Sequence, residues 1–274
     1  YFAWAENARA EANLRLARAA VDESLSSADI DLASAGADVP QMTEFRRNLL
    51  AKAKTFYEQF LAQNPRGVEL RREMALAHYR LGHIGRMLER RDEAQSEYEK
   101  AIAQLESLER EHPSSAQRQA LANAYNWLGE TLRPLPGRRA DAAAAYERAL
   151  ALQPALAAGE APPSVRQELA RTYYNRGILR ASADELTAEA AKSAEDDFRE
   201  ATRLLESLGA NAGAPSAAQE LSRAYNNLGS LVGNDDARLA DAGRLYDRAI
   251  TIHDGLVKAD PANRQYKLEL AKFL

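Results

Sequence analysis

The sequence contains four histidines, the side chains best suited to bind metals or transfer protons near neutral pH. His78 and His83 are five residues apart, so a helix would not present both on one face as the four-residue spacing of a metal pair does. Glu109 and His112 have a three-residue spacing that occurs in metal sites, but no second such pair accompanies them. We interpret them as a solvated helix end, and we predict no metal site and no cofactor.

Acidic side chains are numerous, but their arrangement does not indicate catalysis. The run Asn234-Asp235-Asp236 follows a glycine, which is more typical of a helix N-cap than of a cation site. Elsewhere acidic and basic residues mix, as in residues 89–93, in the pattern of a solvated helix with i,i+4 pairs. No calcium-loop, phosphate-loop or Gly-x-Ser-x-Gly motif occurs, and there is no cysteine. We predict that this chain is not an enzyme.

The composition is typical of a folded helical protein. Hydrophobic residues make up 46% and are mainly alanine and leucine, whereas aromatic residues make up only 7%. The net charge of −4 argues against a nucleic-acid partner, which would require a basic surface. No run approaches the ~20 apolar residues that cross a bilayer, so we expect no membrane insertion by these residues. Because the chain begins at Tyr1 and turns charged at once, we interpret it as a fragment of a longer protein.

A repeated pattern organises most of the chain. Four similar phrases end in Gly82, Gly129, Gly177 and Gly229, and each is followed by a polar stretch and then by alanine, aromatic and alanine. The spacings of four and three residues place that second triplet on one helical face. The triplets are Ala94/Tyr98/Ala101, Ala142/Tyr146/Ala149, Ala194/Phe198/Ala201 and Ala242/Tyr246/Ala249. The pattern predicts helical hairpins in which the aromatic residue packs beside a glycine of the first helix.

Prolines and the repeat period predict where these helices end and how long they are. Proline cannot continue a helix beyond its first turn, so we predict helix boundaries at Pro65, Pro113, Pro154, Pro162, Pro163, Pro215 and Pro261. The glycines are 47, 48 and 52 residues apart, from Gly82 to Gly229. We therefore expect long helices, with most of the extra length in the hairpin turn at residues 181–190.

In these features residues 42–274 resemble the tetratricopeptide repeat family. The family places small residues and one aromatic at fixed positions, and Gly129, Ala142, Tyr146, Ala149 and Pro154 fit it best. The long period departs from the family's ~34 residues and is similar to that of long-helix variants such as kinesin light chains. The resemblance implies an all-α fold, a right-handed superhelical solenoid of antiparallel helical hairpins with about eleven long helices.

We divide the chain into a divergent N-terminal helical pair and a repeat array. The pair comprises residues 1–64, with helices at about 1–27 and 42–63. The array comprises residues 65–274, with hairpins at about 66–112, 115–154, 163–208 and 215–259 and a truncated helix at 262–274. Phe2 and Trp4 could lie in an interfacial aromatic belt or pack on the second helix, and we favour packing.

The N-terminal region resembles the segment that follows the membrane helix in large bacterial serine/threonine protein kinases with C-terminal tetratricopeptide arrays. Residues 9–25, 45–50 and 56–61 carry this resemblance, and the loop at residues 26–40 departs from it. It implies a parent protein with an upstream kinase domain and membrane helix, of which this chain could be the extracytoplasmic part. None of the kinase motifs occurs in these residues.

The tetratricopeptide resemblance also implies that the first helix of each hairpin lines a concave binding surface. The candidate peptide-binding residues are Tyr79, His83, Asn126, Trp127, Arg171, Tyr174, Asn175, Arg223, Asn226 and Asn227. Arg171/Asn175 and Arg223/Asn227 are i,i+4 pairs whose donors suit an acidic or carboxylate-bearing peptide. The alternative is that both arginines pair with neighbouring glutamates. Tyr125, Tyr173 and Tyr225, one position before the groove residues, are expected to pack between hairpins.

These observations predict a non-catalytic scaffold that binds a protein or peptide, as the interaction or sensor region of a signalling kinase. The alternative function is self-association, with terminal hairpins, above all residues 261–274, forming a homodimer.

Overall fold

The computed structural model describes residues 40–62, 67–159, 161–183, 186–209 and 215–273. Within these ranges all regular secondary structure is helical, and the α-helices are α1 Pro40–Ala62, α2 Val68–Met87, α3 Arg91–Glu111, α4 Ser115–Leu132, α5 Arg139–Ala157, α6 Pro163–Ala181, α7 Ala188–Ser207, α8 Pro215–Val232, α9 Leu239–Ala259 and α10 Arg264–Phe273. The predictions for residues 1–39, including Phe2, Trp4 and the resemblance of residues 9–25 to a segment that follows a membrane helix, lie outside the described residues, as does Pro65.

The helices form a solenoid of consecutive hairpins. Pairs α2/α3, α4/α5, α6/α7 and α8/α9 pack along their lengths, while α1 packs on α2 and α10 on α9. The first helices of successive hairpins, α2, α4, α6 and α8, also contact one another, which places them side by side on the inner face. The predicted all-helical solenoid is therefore confirmed in the described part of the chain.

Glycine–aromatic contacts hold the two helices of each hairpin together, as the repeat pattern predicted. A β-carbon on Gly82 would lie 2.7 Å from the Tyr98 ring, and one on Gly129 would lie 2.6 Å from the Tyr146 ring. Tyr98 and Tyr146 are fully buried, so neither ring has room to move aside. The same pairing joins Gly177 to Phe198 and, at 3.1 Å, Gly229 to Tyr246.

Helix ends are fixed by capping side chains and by prolines. Ser114 accepts a hydrogen bond from the Gln117 backbone N–H, and Thr187 accepts one from Ala190. Asp235 caps the short 3-10 helix Asp236–Arg238, which confirms the N-cap interpretation of that acidic run. Pro163 and Pro215 are the first residues of α6 and α8, where proline costs no hydrogen bond.

Two boundary predictions were wrong. Pro154 lies inside α5, which continues to Ala157. A proline in the last turn removes only one hydrogen bond, and Ala157 packs against a hydrophobic cluster with Leu204 and Tyr225. The turn at residues 182–187 is also no longer than the one at residues 133–138, because the extra period lies in helices of 18–21 residues and in the connection at residues 208–214.

Candidate peptide-binding groove

A groove of about 640 Å³ runs across the inner face of the solenoid. Its walls come from the first helices α2, α4, α6 and α8 and from α10. Seven predicted residues line it: Trp127, Arg171, Tyr174, Asn175, Arg223, Asn226 and Asn227. We call this surface the inner groove. Tyr79, His83 and Asn126 are not among its lining residues.

Asparagine side chains join the first helices of neighbouring hairpins beneath the inner groove. Asn175 donates from Nδ2 to Oδ1 of Asn126 at 3.2 Å, and Asn227 donates to the Tyr174 hydroxyl at 2.9 Å. Asn126 is fully buried. Its prediction as a peptide contact is therefore corrected, because close packing of α4 against α6 removes it from the surface. The bond to the Asn126 Oδ1 helps to fix how the hairpins stack, although the buried Nδ2 of the same amide has no partner.

Arginine and glutamate side chains form a second connection between hairpins. Arg171 donates from Nε to Glu220 at 3.1 Å and from Nη1 to Glu168 at 2.8 Å. Arg223 donates from Nε to Glu269 on α10 at 3.0 Å. We call Glu168, Arg171, Glu220, Arg223 and Glu269 the ionic ladder. The alternative considered for these arginines is the one observed: they pair with glutamates of this chain instead of offering an open clamp.

Burial and ion pairing oppose each other in the ionic ladder. Burial alone would lower the pKa of Arg171, but Glu220 and Glu168 outweigh it, so that the pKa is raised and the charge is held. Burial raises the pKa of Glu168 despite the neighbouring guanidinium. The ladder therefore depends on both partners being present, since either one alone would be a poorly solvated charge.

The ionic ladder could have been recognised in the sequence. Glu168-x-x-Arg171 and Glu220-x-x-Arg223 place an acid three residues before each arginine, and Glu269-x-x-Lys272 repeats the spacing. The i,i+3 spacing brings acid and base together on one helix, and the repeat brings each arginine beside the acid of the next first helix. The sequence analysis allowed for pairing with neighbouring glutamates but did not identify which glutamates lie opposite each arginine.

Aromatic rings form one end of the inner groove. The rings of Trp127 and His83 meet edge to face with centroids 4.6 Å apart, and Tyr79 packs on His83 at 4.7 Å. The guanidinium of Arg86 lies 4.5 Å from the Trp127 ring centroid, and that of Arg171 lies 5.8 Å from it. Tyr79 and His83 thus support Trp127 from behind.

His83 is held neutral by its surroundings. Burial lowers its pKa to about 3, and the positive charges of Arg86, Arg171 and Arg80 lower it further in the same direction. The unfolded chain would protonate His83 near its ordinary value of 6.5. Between these two pKa values the unfolded state therefore binds more protons at His83 than the folded state does. As a result, the contribution of His83 to the free energy of unfolding is fully present above pH 6.5 and is lost as the pH falls towards 3.

This linkage gives a measurable pH dependence. We expect the difference in unfolding free energy between the wild type and His83→Phe to change by up to ~1.4 kcal/mol per pH unit below about pH 6, with the wild type losing stability faster. Urea unfolding followed by circular dichroism across pH 4–7 measures it. His112→Phe, at an exposed position, is the control and should show no such difference. Parallel curves for His83→Phe and the wild type would contradict the prediction.

Tyr125, Tyr173 and Tyr225 were all predicted to pack between hairpins, and Tyr125 and Tyr225 do so. Tyr125 donates to Glu106 of the preceding hairpin at 2.5 Å, and Tyr225 donates to Glu206. Arg248 in turn donates to the Tyr225 hydroxyl at 2.6 Å. Tyr173 packs against the cluster that contains Leu169 and Leu205. None of these three tyrosines lines the inner groove.

Within the described ranges, no three histidine, aspartate or glutamate side chains converge as a metal site. No helix of the described part is both long and apolar enough to cross a bilayer.

The fold and the groove define a helical-repeat solenoid, and comparison with solved structures gives the same class. The chain is similar to BtubC (BKLC) from P. vanneervenii, with a TM-score of 0.58 and 20% identity over 89% of this chain and 92% of that one. It is also similar to the apo form of RapI, with a TM-score of 0.57 and 15% identity over 78% of this chain and 68% of that one. At these identities the likeness concerns the fold. No protein-family model and no curated protein matches the sequence.

Proposed function

We propose that the inner groove binds an extended segment of another polypeptide. The observation that carries this proposal is Trp127, a large aromatic side chain that remains partly exposed in a groove spanning the first helices of successive hairpins. Solenoids of this kind present extended concave surfaces, and exposed tryptophans beside arginines are typical of interface hot spots.

A second pocket extends the inner groove towards the ends of α6 and α8. It has a volume of about 410 Å³ and shares Ile178 and Asn227 with the groove. Its lining combines apolar side chains, among them Leu186 and Leu231, with the polar side chains of Ser182, Ser230 and Asn234. A bound peptide could therefore make polar contacts along the groove and place an apolar side chain in this pocket. Such alternation suits a peptide better than a compact small molecule.

The charge of the inner groove favours an acidic peptide. Five basic side chains line it, Arg86, Arg133, Arg171, Arg223 and Lys272, against three acidic ones, Glu130, Glu220 and Glu269. Because the ionic ladder already neutralises Arg171 and Arg223, the surplus positive charge of the groove lies on its other basic side chains. Complementary charge would speed association and select partners.

Tryptophan fluorescence can test the proposal. The chain has two tryptophans, so Trp4→Phe leaves Trp127 as the single reporter. We expect its emission to shift when peptides selected from a random library bind, and we expect Trp127→Phe to weaken their binding at least about tenfold. Tyr173→Phe, outside the inner groove, is the matched control and should bind normally. If no peptide is selected, or if Trp127→Phe binds as tightly as the wild type, the groove is not the binding surface.

We further infer that this scaffold is the interaction or sensor region of a bacterial membrane-anchored serine/threonine kinase. The support is the resemblance of residues 9–25, 45–50 and 56–61 to the segment after the membrane helix of such kinases. The sequence of the full-length gene tests it, since an upstream kinase domain and membrane helix are expected there. Their absence would remove this part of the proposal.

Self-association is a second candidate function, favoured by the outer face of α10. The Leu268 side chain on that face is 49% exposed. Contact of this leucine with a second copy would remove apolar surface from water. Light scattering across a concentration series tests it, and a monomer at every concentration would eliminate it.

A further inference from the structure

Arg86 differs from the other arginines of the inner groove in having no carboxylate partner. Arg171 and Arg223 pair with glutamates in the ionic ladder, and Arg133 pairs with Glu130 at 2.9 Å. Among the described residues no aspartate or glutamate lies within ion-pair distance of Arg86. Its guanidinium charge is therefore the uncompensated one at the aromatic end of the groove.

Neighbouring residues hold Arg86 in place without neutralising it. It lies in the last turn of α2, where the partial negative charge of the helix end favours a cation. Its guanidinium carbon lies over the Trp127 ring, 4.5 Å from the ring centroid, in a cation–π contact that restricts the side chain. These contacts position the side chain, but neither supplies a formal negative charge.

One nitrogen of Arg86 also lacks a hydrogen-bond acceptor. Its Nε is buried and makes no hydrogen bond. The guanidinium lies close enough to the buried Tyr98 hydroxyl to oppose the rise that burial causes in the pKa of that phenol. A buried donor with no acceptor costs free energy, so a ligand that supplies the acceptor gains that amount on binding. A neutral phenol could accept a hydrogen bond after a small rearrangement, but it would leave the charge unbalanced.

The surroundings of Arg86 are strongly positive. His83 lies in the same aromatic cluster, and its lowered pKa reflects Arg86, Arg171 and Arg80 in addition to burial. Because His83 stays neutral, it adds no charge of its own. An anion at this end of the inner groove would meet a fixed guanidinium with little competition from water on the Trp127 side.

We propose that Arg86, fixed against Trp127, binds the side-chain carboxylate of an aspartate or glutamate in the peptide that occupies the inner groove. The guanidinium offers a planar pair of donors to the carboxylate, and the contact with the indole restricts the side chain. The inference rests on the proposed function and adds to it the residue that selects the partner. The ladder arginines, in contrast, set the shape of the groove.

A charge reversal tests this assignment. Random dodecapeptides displayed on phage, with both ends linked to flanking residues so that none has a free C terminus, are selected against the wild type and Arg86→Glu. We expect the wild type to enrich aspartate or glutamate at one peptide position and Arg86→Glu to enrich lysine or arginine at the same position. Arg90→Glu, an exposed arginine just after α2, is the matched control and should keep the acidic preference.

A milder substitution covers the case in which charge reversal prevents folding. Arg86→Gln keeps a polar side chain of similar length, and we expect it to bind the selected acidic peptide about 30-fold more weakly, with the helical spectrum unchanged. The same peptide with asparagine or glutamine at the acidic position should bind the wild type and Arg86→Gln equally. Peptides that bind the wild type but show no preference linked to residue 86 overturn the inference alone. Failure to select any peptide against the wild type counts against the proposed function itself.

Discussion

Replacing Arg171 with alanine should lower the free energy of unfolding by about 3 kcal/mol, because it leaves two largely buried carboxylates without their shared guanidinium. Glu168 and Glu220 both face Arg171, and each already has one buried oxygen without a hydrogen-bond partner. Removing the guanidinium would also remove the ion pair between Arg171 on α6 and Glu220 on α8. Urea unfolding followed by circular dichroism at pH 7 measures the loss.

Arg203→Ala is the control for the ionic ladder. Arg203 pairs with Glu200 on the same helix, but its side chain is 63% exposed, so the change should cost under about 1 kcal/mol. A double variant, Arg171→Ala with Glu220→Ala, should cost less than the sum of the two single changes because the residues act as a pair. Equal effects for Arg171→Ala and Arg203→Ala would show that the ladder does not hold the hairpins together.

Two glycine-to-alanine substitutions should change stability in opposite directions. At Gly129 the new methyl group would lie 2.6 Å from the buried Tyr146 ring, so we expect a loss of about 2 kcal/mol from overpacking. At Gly243 in α9 no atom lies within 4 Å of the added methyl, and the position is exposed. There alanine should raise stability by about 0.5–1 kcal/mol, since it restricts the unfolded chain and favours the helix.

Thermal melts of the two glycine variants measure the difference directly. Since both glycines lie in helices and receive the same side chain, intrinsic helix propensity cancels between them. The remaining difference in stability therefore reports how much space lies beside each glycine. A Gly129→Ala protein at least as stable as the wild type would mean that Tyr146 does not pack against the first helix as described.

The repeat was sufficient to predict the fold, since its signal comes from short-range spacing. Gly82 and Tyr98 are 16 residues apart and Gly129 and Tyr146 are 17 apart, and in each case the turn between two amphipathic helices brings the pair into contact. The ends of the helices were less predictable. Pro154 was expected to end α5, but tertiary burial of Ala157 outweighed the local preference of proline.

The candidate site was less predictable than the fold, because it depends on contacts between residues some 49 positions apart. The sequence indicated which helices face inward, but the burial of Asn126 depends on how closely α4 and α6 approach each other. Arg171 and Arg223 were expected to bind a ligand, whereas they form ion pairs with Glu220 and Glu269 of this chain. Arg86 could be recognised as the uncompensated charge only after these pairs were known.

The ionic ladder also bears on how such an array can grow. Helix α8 carries Glu220, which accepts from Arg171 on α6 of the preceding hairpin, and Arg223, which donates to Glu269 on α10. A duplicated copy of the hairpin α8/α9 would therefore bring a matching partner for each of its neighbours, with no new interface to evolve. Unequal recombination could lengthen or shorten this part of the protein in whole hairpins while every junction stayed electrostatically balanced. The four-residue motif Glu-x-x-Arg therefore carries the ionic contacts of one first helix with both of its neighbours.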